Sequence, residues 1–520
     1  MRDHPADPFG ELGTELPDAA HPPSIAPAHP PDLGISPAGR QPDSELVEPH
    51  EYASRDAIGL RELIRAGEVS PAEVERTARH ALDLANKQVN GLALPLFSPA
   101  LEHSADGPFT GVPFLIKDSG PVAEGVPFAM GSRGVRRALA RHDSDLMTRV
   151  RAAGLVTLGL TTAPELGISF ATEPVKHGPT RNPWHLDHGV GGSSGGAAAL
   201  VAAGAVPVAH GNDSAGSVRV PASCCGLVGL KPSRGRTPCG PDLGEPVFGL
   251  SYEFALTRTV RDAAHFLDAI HGPGVGDKYT APPPVRPYAE ELSADLAPLR
   301  VALSTEAWSG VAVDPEVAAA AVAAGELLAD LGHVVSQGSP ALDWEDVITS
   351  MVPAEMAFLA STFRQAPRPP DPNEMEAVSR RLFEEVADLT VYDLMDAFHA
   401  QNRVSRSVGA FFTGHDLLVT PTLGQLPAPH GTLRQDEPGQ TVTGWIRSIF
   451  DYGPFTAVFN IAGQPAISLP LGQSRDGLPI GVQFVAAYGR EDLLFRIAAQ
   501  LEQAAPWRDR VPPHSVRGLA

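Results

Sequence analysis

From residue 54 onwards, apolar positions recur either at helical spacing or in short runs that are typical of strands. The first helical series comprises Ile58, Leu60, Leu63 and Ile64. Ser70 followed by Pro71 is typical of a helix start, because the serine hydroxyl caps free N–H groups and proline fits the first turn. Helices and strands then alternate, which favours a largely parallel sheet covered by helices on both faces.

Capping residues and glycines delimit the later elements. Ser144 predicts a helix that ends at Gly154, and Asp314 with Pro315 predicts another that ends at Gly332. A short helix over 195–203 and a last amphipathic helix over 491–504 are also predicted. The predicted strands are 155–160, 206–209, 299–303, 415–420, 466–469 and 480–485.

Composition divides the chain into three parts. Residues 1–53 are expected to be a disordered acidic extension, because the first 50 residues contain 11 prolines and no apolar periodicity. Residues 54–510 are expected to form one α/β domain, in which the helical segment 340–412 is a subdomain facing the substrate. Residues 511–520 are predicted to be a short tail.

The charge and the cysteine content narrow the class of protein. A formal net charge of −21 argues against binding to nucleic acid, which requires clustered lysine and arginine. The only cysteines, Cys224, Cys225 and Cys239, form no plausible disulfide framework, so a cytoplasmic location is expected. Neither a signal peptide nor a membrane span is predicted, because the long uncharged stretch 189–212 has too few large apolar residues.

Two serine-bearing glycine loops carry the candidate chemistry. The first reads Gly-Gly-Ser-Ser-Gly-Gly over 191–196, and the second reads Gly-Asn-Asp-Ser-Ala-Gly-Ser over 211–217. Upstream, Lys117 ends an apolar strand-like run. A serine hydroxyl needs a base to become a nucleophile, and a lysine can be that base when burial keeps it neutral. These loops and this lysine indicate a hydrolytic or acyl-transferring enzyme.

Other interpretations of the same residues stay open at this point. Lys117 alone is more often an ordinary strand-end lysine, and the second loop alone could be a plain turn before a short helix. Ser194 matches the centre of the Gly-X-Ser-X-Gly nucleophile elbow, but residues 184–189 do not resemble the strand that the elbow requires. His210 is expected to be a packed loop residue rather than a general base, and no metal-binding pattern is evident.

The block 191–236 resembles the amidase signature family, and the similarity extends over about residues 54–510. This resemblance implies a mixed sheet between helices and a Ser–cis-Ser–Lys triad. It implies that Ser217 is the nucleophile, Ser193 the bridging serine after a cis Gly192–Ser193 peptide, and Lys117 the base. No metal or organic cofactor is expected. Backbone N–H groups at positions 214–217 would form the oxyanion hole, namely those of Ser214, Ala215, Gly216 and Ser217.

Ala215 is a departure from the family, because many members have glycine there; a Cβ is harmless at negative φ and costly at positive φ. Together, segments 210–213, 223–226, 420–422, 459–466 and 478–484 look most similar to the branch of 6-aminohexanoate-cyclic-dimer hydrolases. The predicted function is hydrolysis of a small linear, aryl or cyclic amide, by a possible homodimer. The alternatives are a glutaminase subunit of a tRNA-dependent amidotransferase and an acyl-transferring or non-catalytic relative.

Overall fold

A ten-stranded mixed sheet forms the centre of the protein, in the computed structural model that describes residues 48–518 except 121, 137 and 367. The helices are α1 Pro49–Ser54, α2 Ala57–Arg65, α3 Pro71–Val89, α4 Asp145–Ala152, α5 Gly195–Ala202, α6 Arg219–Cys225, α7 Val260–Ile270, α8 Tyr288–Glu291, α9 Pro315–Asp330, α10 Trp344–Arg364, α11 Ala377–Glu385, α12 Val391–Gly414, α13 Val442–Tyr452, α14 Ala457–Ala462 and α15 Glu491–Ala504. The strands are β1 Pro113–Lys117, β2 Pro127–Phe128, β3 Ala138–Leu139, β4 Val156–Thr161, β5 Arg181–Asn182, β6 His185–Gly189, β7 Val208–Asp213, β8 Val228–Lys231, β9 Tyr252–Thr257, β10 Arg300–Leu303, β11 Val334–Gln337, β12 Leu417–Pro421, β13 Ala466–Gln473 and β14 Pro479–Ala486.

Strand direction changes across the main sheet, whose order is β11-β10-β12-β14-β13-β8-β9-β7-β1-β4. The pairs at the two ends, such as β1 with β4 and β10 with β11, are parallel. The pairs at the centre, such as β13 with β14 and β13 with β8, are antiparallel. The predicted mixed sheet is confirmed. Parallel pairing is confined to its ends, because β14, β13, β8 and β9 lie between the two parallel groups and all their pairings are antiparallel.

Helices cover both faces of this sheet, which accounts for its continuous apolar strands. In β1, Phe114 and Ile116 belong to one buried cluster, whereas Leu115 belongs to the other. Lys117 follows on the same strand and is also buried. The end of β1 therefore delivers an amine into the protein interior.

The predicted helix starts are confirmed where a side chain caps the first turn. Ser70 and Glu73 form a reciprocal capping box at α3, and Ser144 caps α4. Asp314 accepts from two N–H groups at the start of α9, and α15 has the predicted bounds. None of the helices in the described part of the chain is long and apolar enough to cross a bilayer.

Both predicted domain boundaries require correction. Residues 1–47 lie outside the described part of the chain, but α1 already belongs to the fold, and the Tyr52 hydroxyl donates to the Ala205 carbonyl at 3.0 Å. At the other end, the predicted tail is docked: Val516 is buried and its N–H donates to the carbonyl of Ala203 at 2.8 Å. Each segment is too short to show apolar periodicity, so the sequence pattern missed both.

A third correction concerns β7, which was predicted to end at residue 209. Pairing with β9 continues through Gly211, Asn212 and Asp213, so three of the seven residues in the second glycine loop belong to the strand. The remaining loop comprises residues 214–217, directly before α6. This shorter loop is held at both ends by regular structure.

Candidate active site

Lys117, Ser193 and Asn212 meet inside the protein. The Nζ of Lys117 lies 2.7 Å from Oγ of Ser193 and 2.5 Å from Oδ1 of Asn212. Parallel pairing of β1 with β7 brings Lys117 beside Asn212, and the loop before α5 supplies Ser193. Three distant segments of the chain therefore converge on one amine.

Burial is the main influence on the charge of Lys117, whose side chain is almost inaccessible to solvent. Desolvation lowers the pKa of Lys117 to about 7, although the carboxylates of Glu253, Asp213 and Asp118 act in the opposite direction. A substantial fraction of this lysine is therefore neutral at pH 7, and a neutral amine can accept a proton.

Ser193 and Ser217 lie on two loops that are hydrogen-bonded to each other. The peptide bond between Gly192 and Ser193 is cis, and the N–H of Ser194 donates to the carbonyl of Ser217 at 3.1 Å. Ser193 is 3% exposed and Ser217 is 5% exposed. The Oγ of Ser217 donates to no described residue and lines a cavity, so it is the hydroxyl that a ligand can reach.

The structure also corrects the reason for rejecting Ser194 as the centre of a nucleophile elbow. Residues 185–189 do form a strand, β6, which pairs with β5 in a separate two-stranded sheet. Ser194 is nevertheless fully buried, and its Oγ donates to the Asn212 carbonyl at 3.3 Å. A buried hydroxyl that points into the protein cannot attack a substrate.

The loop 214–217 presents free backbone N–H groups at Ser217. Among the described residues, none accepts a hydrogen bond from the amides of Ser214, Ala215, Gly216 or Ser217. Gly216 has φ +144° and an added Cβ there would lie 2.5 Å from the Thr456 hydroxyl, so this position requires glycine. Ala215 is not among the residues with positive φ, and its Cβ is therefore accommodated.

A buried ion pair fixes the loop from behind. Arg219 donates from Nε to Oδ2 of Asp213 at 3.0 Å and from Nη2 to Oδ1 at 2.8 Å. Asn460 donates to the same carboxylate at 2.9 Å, and the Val218 N–H donates to it at 3.1 Å. Burial alone would raise the pKa of Asp213, but the Arg219 charge and these hydrogen bonds lower it to about 2.

His210 and Glu253 support Lys117 from the next strands. The backbone N–H of Lys117 donates to Nδ1 of His210 at 3.3 Å, so the ring proton is on Nε2, which donates to Glu253 at 2.6 Å. His210 is a packed residue, as predicted, but it lies on β7 rather than in a loop. His210 and Asn212 are two positions apart and share one face of β7, a signal that the sequence analysis missed.

The cavity beside Ser217 is small, with a volume of about 30 Å³. Its wall combines the loop at Ser214, Ala215 and Ser217 with apolar side chains and a single ionisable group, Glu355. The apolar side chains are those of Ile168, Phe170, Met351, Ile446, Ile449 and Phe450. Met351 and Glu355 belong to α10, so the helical segment 340–412 does reach this cavity.

Comparison with known proteins identifies the family. The protein-family model described as Amidase matches residues 76–495. The chain belongs to the amidase signature family. It is 42% identical over 479 residues to the 6-aminohexanoate-cyclic-dimer hydrolase of Pseudomonas sp. (strain NK87), covering 88% of this chain and 96% of that protein. The corresponding enzyme of Paenarthrobacter ureafaciens is 41% identical over 482 residues, covering 88% of this chain and 96% of that protein.

Solved structures of the amidase signature family agree with this result. The structure of 6-aminohexanoate cyclic dimer hydrolase complexed with substrate has a TM-score of 0.83 and 38% identity, covering 89% of this chain and 99% of that chain. The predicted family and fold are confirmed, and the protein is a hydrolase that acts on amides.

Proposed function

We propose that this amidase hydrolyses small linear, aryl or cyclic amides through an acyl-enzyme on Ser217, with Ser193 as bridging serine and Lys117 as base. The observation that carries this proposal is the buried contact of 2.7 Å between Nζ of Lys117 and Oγ of Ser193, next to the loop that presents Ser217. A base that is buried, partly neutral and hydrogen-bonded to a hydroxyl is what nucleophilic catalysis by serine requires.

In the first step, Oγ of Ser217 attacks the amide carbon while its proton passes to Ser193 and the proton of Ser193 passes to Lys117. The carbonyl oxygen becomes an oxyanion, and the N–H groups of residues 214–217 donate to it. Donors of this kind are worth roughly 3–4 kcal/mol each where one has been removed from an enzyme. Because these backbone N–H groups donate to no residue in the described part of the chain, they are available for this role.

In the second step, the proton on Lys117 returns through Ser193 to the amine nitrogen, the C–N bond breaks, and the amine leaves. The acyl group remains as an ester of Ser217. Water then attacks the ester and loses its proton to Lys117 through Ser193. That proton returns through Ser193 to Oγ of Ser217 as the ester C–O bond breaks, and the carboxylic acid leaves. No step draws on a group outside the chain and water.

The relatives and the cavity support the proposed substrate class. Two relatives of about 40% identity are 6-aminohexanoate-cyclic-dimer hydrolases, so the cyclic dimer is the first substrate to test. The side chains around Ile446 and Phe450 give the cavity beside Ser217 an apolar wall, which favours an apolar acyl group over a polar one.

The test is hydrolysis of aliphatic, aryl and cyclic amides by the wild type and two alanine variants. Ser217→Ala and Lys117→Ala are each expected to lower kcat by at least about a thousandfold, because residues of a catalytic unit act together. Lys87→Ala, which removes an exposed lysine, is the matched control. Circular dichroism verifies that each variant is folded, and retention of activity in Ser217→Ala would overturn the assignment.

Trapping the intermediate distinguishes the acyl-enzyme from direct attack by water. Added hydroxylamine should divert part of the product to the hydroxamate, and mass spectrometry should find the acyl group on the peptide that contains Ser217. Activity that required a partner subunit, ATP and tRNA would instead identify a glutaminase subunit, and transfer without hydrolysis would identify an acyltransferase.

A further inference from the structure

The inward face of α10 carries one residue that does not belong in an apolar core. Val347, Met351, Leu359 and Phe363 are all buried, and with position 355 they form a series that recurs every four residues. Glu355 occupies the middle of this series. Residues at this spacing share one face of a helix, so Glu355 projects to the same side as its apolar neighbours.

Glu355 has no polar partner in the described part of the chain. No other described residue forms a hydrogen bond or an ion pair with its carboxyl group. Burial alone raises the pKa of Glu355 to about 7. Glu355 is half-buried, so its carboxylate loses part of its hydration without gaining a partner, and a leucine or methionine at this position would avoid that cost. A residue kept at such a cost points to a partner that comes from outside the chain.

The cavity shows where that partner would lie. Glu355 is the only ionisable side chain in a wall that also includes Ser217, Ala215 and the apolar groups around Phe450. An acyl group bonded to Oγ of Ser217 would start in this cavity. The cavity of about 30 Å³ would have to widen to take the whole chain, which would then lie between the apolar wall and the carboxyl of Glu355.

The surroundings favour a positively charged group. A second cavity of about 260 Å³ shares Ser169 with the first. The charged side chains in its wall are Glu173, Glu376, Asp436, Glu437 and Arg434. Burial and the nearby Glu165 raise the pKa of Glu376 to about 8, so it is neutral at pH 7. The other three carboxylates still outnumber the one guanidinium, and such a field attracts cations.

We propose that Glu355 is a specificity-determining residue that selects amides whose acyl chain ends in a primary ammonium group, such as ω-aminoacyl amides. The inference rests on the function proposed above, because it takes the acyl group to be attached to Ser217. An ammonium supplies the hydrogen-bond donors and the charge that the carboxyl lacks, and its alkyl chain suits the apolar wall.

Two substrates of equal length test this selection. 6-Aminohexanoyl 4-nitroanilide and heptanoyl 4-nitroanilide differ only in having an ammonium or a methyl group at the chain end. At pH 8, where Glu355 is ionised, the wild type should favour the aminoacyl substrate by at least about tenfold in kcat/KM, as for one charged hydrogen bond. Glu355→Gln should abolish this preference, whereas Glu326→Gln, on the exposed surface of α9, should keep it.

Binding without turnover separates this inference from the proposed mechanism. In Ser217→Ala protein, calorimetry should show tighter binding of 6-aminohexanamide than of heptanamide, and the additional Glu355→Gln substitution should equalise the two. Equal binding in Ser217→Ala, or a preference that survives Glu355→Gln, would overturn the role of Glu355. Loss of anilide hydrolysis in Ser217→Ala tests the catalytic assignment alone.

Thermal unfolding distinguishes a role in recognition from a structural one. Glu355→Leu should raise the Tm, because it replaces an unpaired carboxyl with an apolar side chain in an apolar environment. A lower Tm would mean that the carboxyl stabilises the fold and would count against its role in substrate selection.

Discussion

Replacing Arg219 by methionine should destabilise the protein by about 3–5 kcal/mol at neutral pH, because it leaves a buried charge without its partner. Arg219 is fully buried and, besides its two bonds to Asp213, donates to Gln483 at 2.8 Å and to the Thr456 carbonyl at 2.9 Å. Methionine fills much of the space but satisfies none of these acceptors. The expected cost therefore comes mainly from the stranded carboxylate of Asp213.

The pH dependence provides a sharper version of this prediction. In the wild type the pKa of Asp213 is lowered from 3.8 to about 2, so the pair contributes stability that is complete above pH 4 and lost as the pH falls through 2. That shift corresponds to about 2 kcal/mol. In Arg219→Met, burial should instead raise the pKa of Asp213 above its ordinary value. The Asp213 carboxyl of the variant then takes up a proton as the pH falls, and the difference in the free energy of unfolding between variant and wild type should become smaller.

Urea unfolding followed by circular dichroism at pH 7.5 and pH 5 measures both effects. Arg219→Met should have a much lower urea midpoint than the wild type at pH 7.5, and the difference between the two midpoints should be smaller at pH 5. A second substitution, Asp213→Asn, should recover part of the lost stability. Arg381→Met, which breaks an exposed pair on α11, should not move the midpoint. A deficit below about 1 kcal/mol at pH 7.5, or one that does not shrink at pH 5, refutes the reasoning.

Three further predictions concern the amine, the rejected serine and the N-terminal helix. Because Lys117 acts as a base only when neutral and its pKa is about 7, kcat/KM should fall about tenfold per pH unit below 7. Glu253→Gln removes a charge that favours the ammonium form of Lys117, so it should move this fall to lower pH, and an unchanged pH profile of kcat/KM would contradict the expectation. Ser194→Ala should retain activity within about tenfold of the wild type, since its hydroxyl makes one hydrogen bond among the described residues. A loss of activity as large as that of Ser217→Ala would instead support Ser194 as the nucleophile of a Gly-X-Ser-X-Gly elbow. Tyr52→Phe should lower the free energy of unfolding by about 1–3 kcal/mol, because the Ala205 carbonyl loses its donor; an unchanged urea midpoint would show that α1 does not contribute to the stable fold.

The sequence was most informative where chemistry and local geometry lie within a few residues of each other. The glycine loops and the apolar run before Lys117 were readable because loop glycines and strand periodicity are local signals. The contacts that hold these loops in place could not be predicted from the sequence. Asn460 lies 247 positions from Asp213, and only the assembled sheet brings the two together.

The predicted end of one strand was wrong for a related reason. The end of β7 looked like a loop because Gly211 and Asn212 have low strand propensity, yet pairing with β9 keeps them in the sheet. For Glu355 the helix was predictable from the sequence, but the environment of its carboxyl was not, because that environment depends on which face of α10 packs against the rest of the protein.

The position of β13 determines when the site can form during synthesis. β13 pairs with β8, although 234 residues separate the end of one strand from the start of the other. Lys117, Ser193 and Ser217 are all made before residue 220, but Asn460, which holds the loop carboxylate, is made 247 positions after Asp213 and is followed by β13, the partner of β8. Until then β8 has an unpaired edge, which is a site for aggregation and for chaperone binding. We therefore expect the nascent chain to remain inactive until β13 and β14 are inserted at the centre of the sheet.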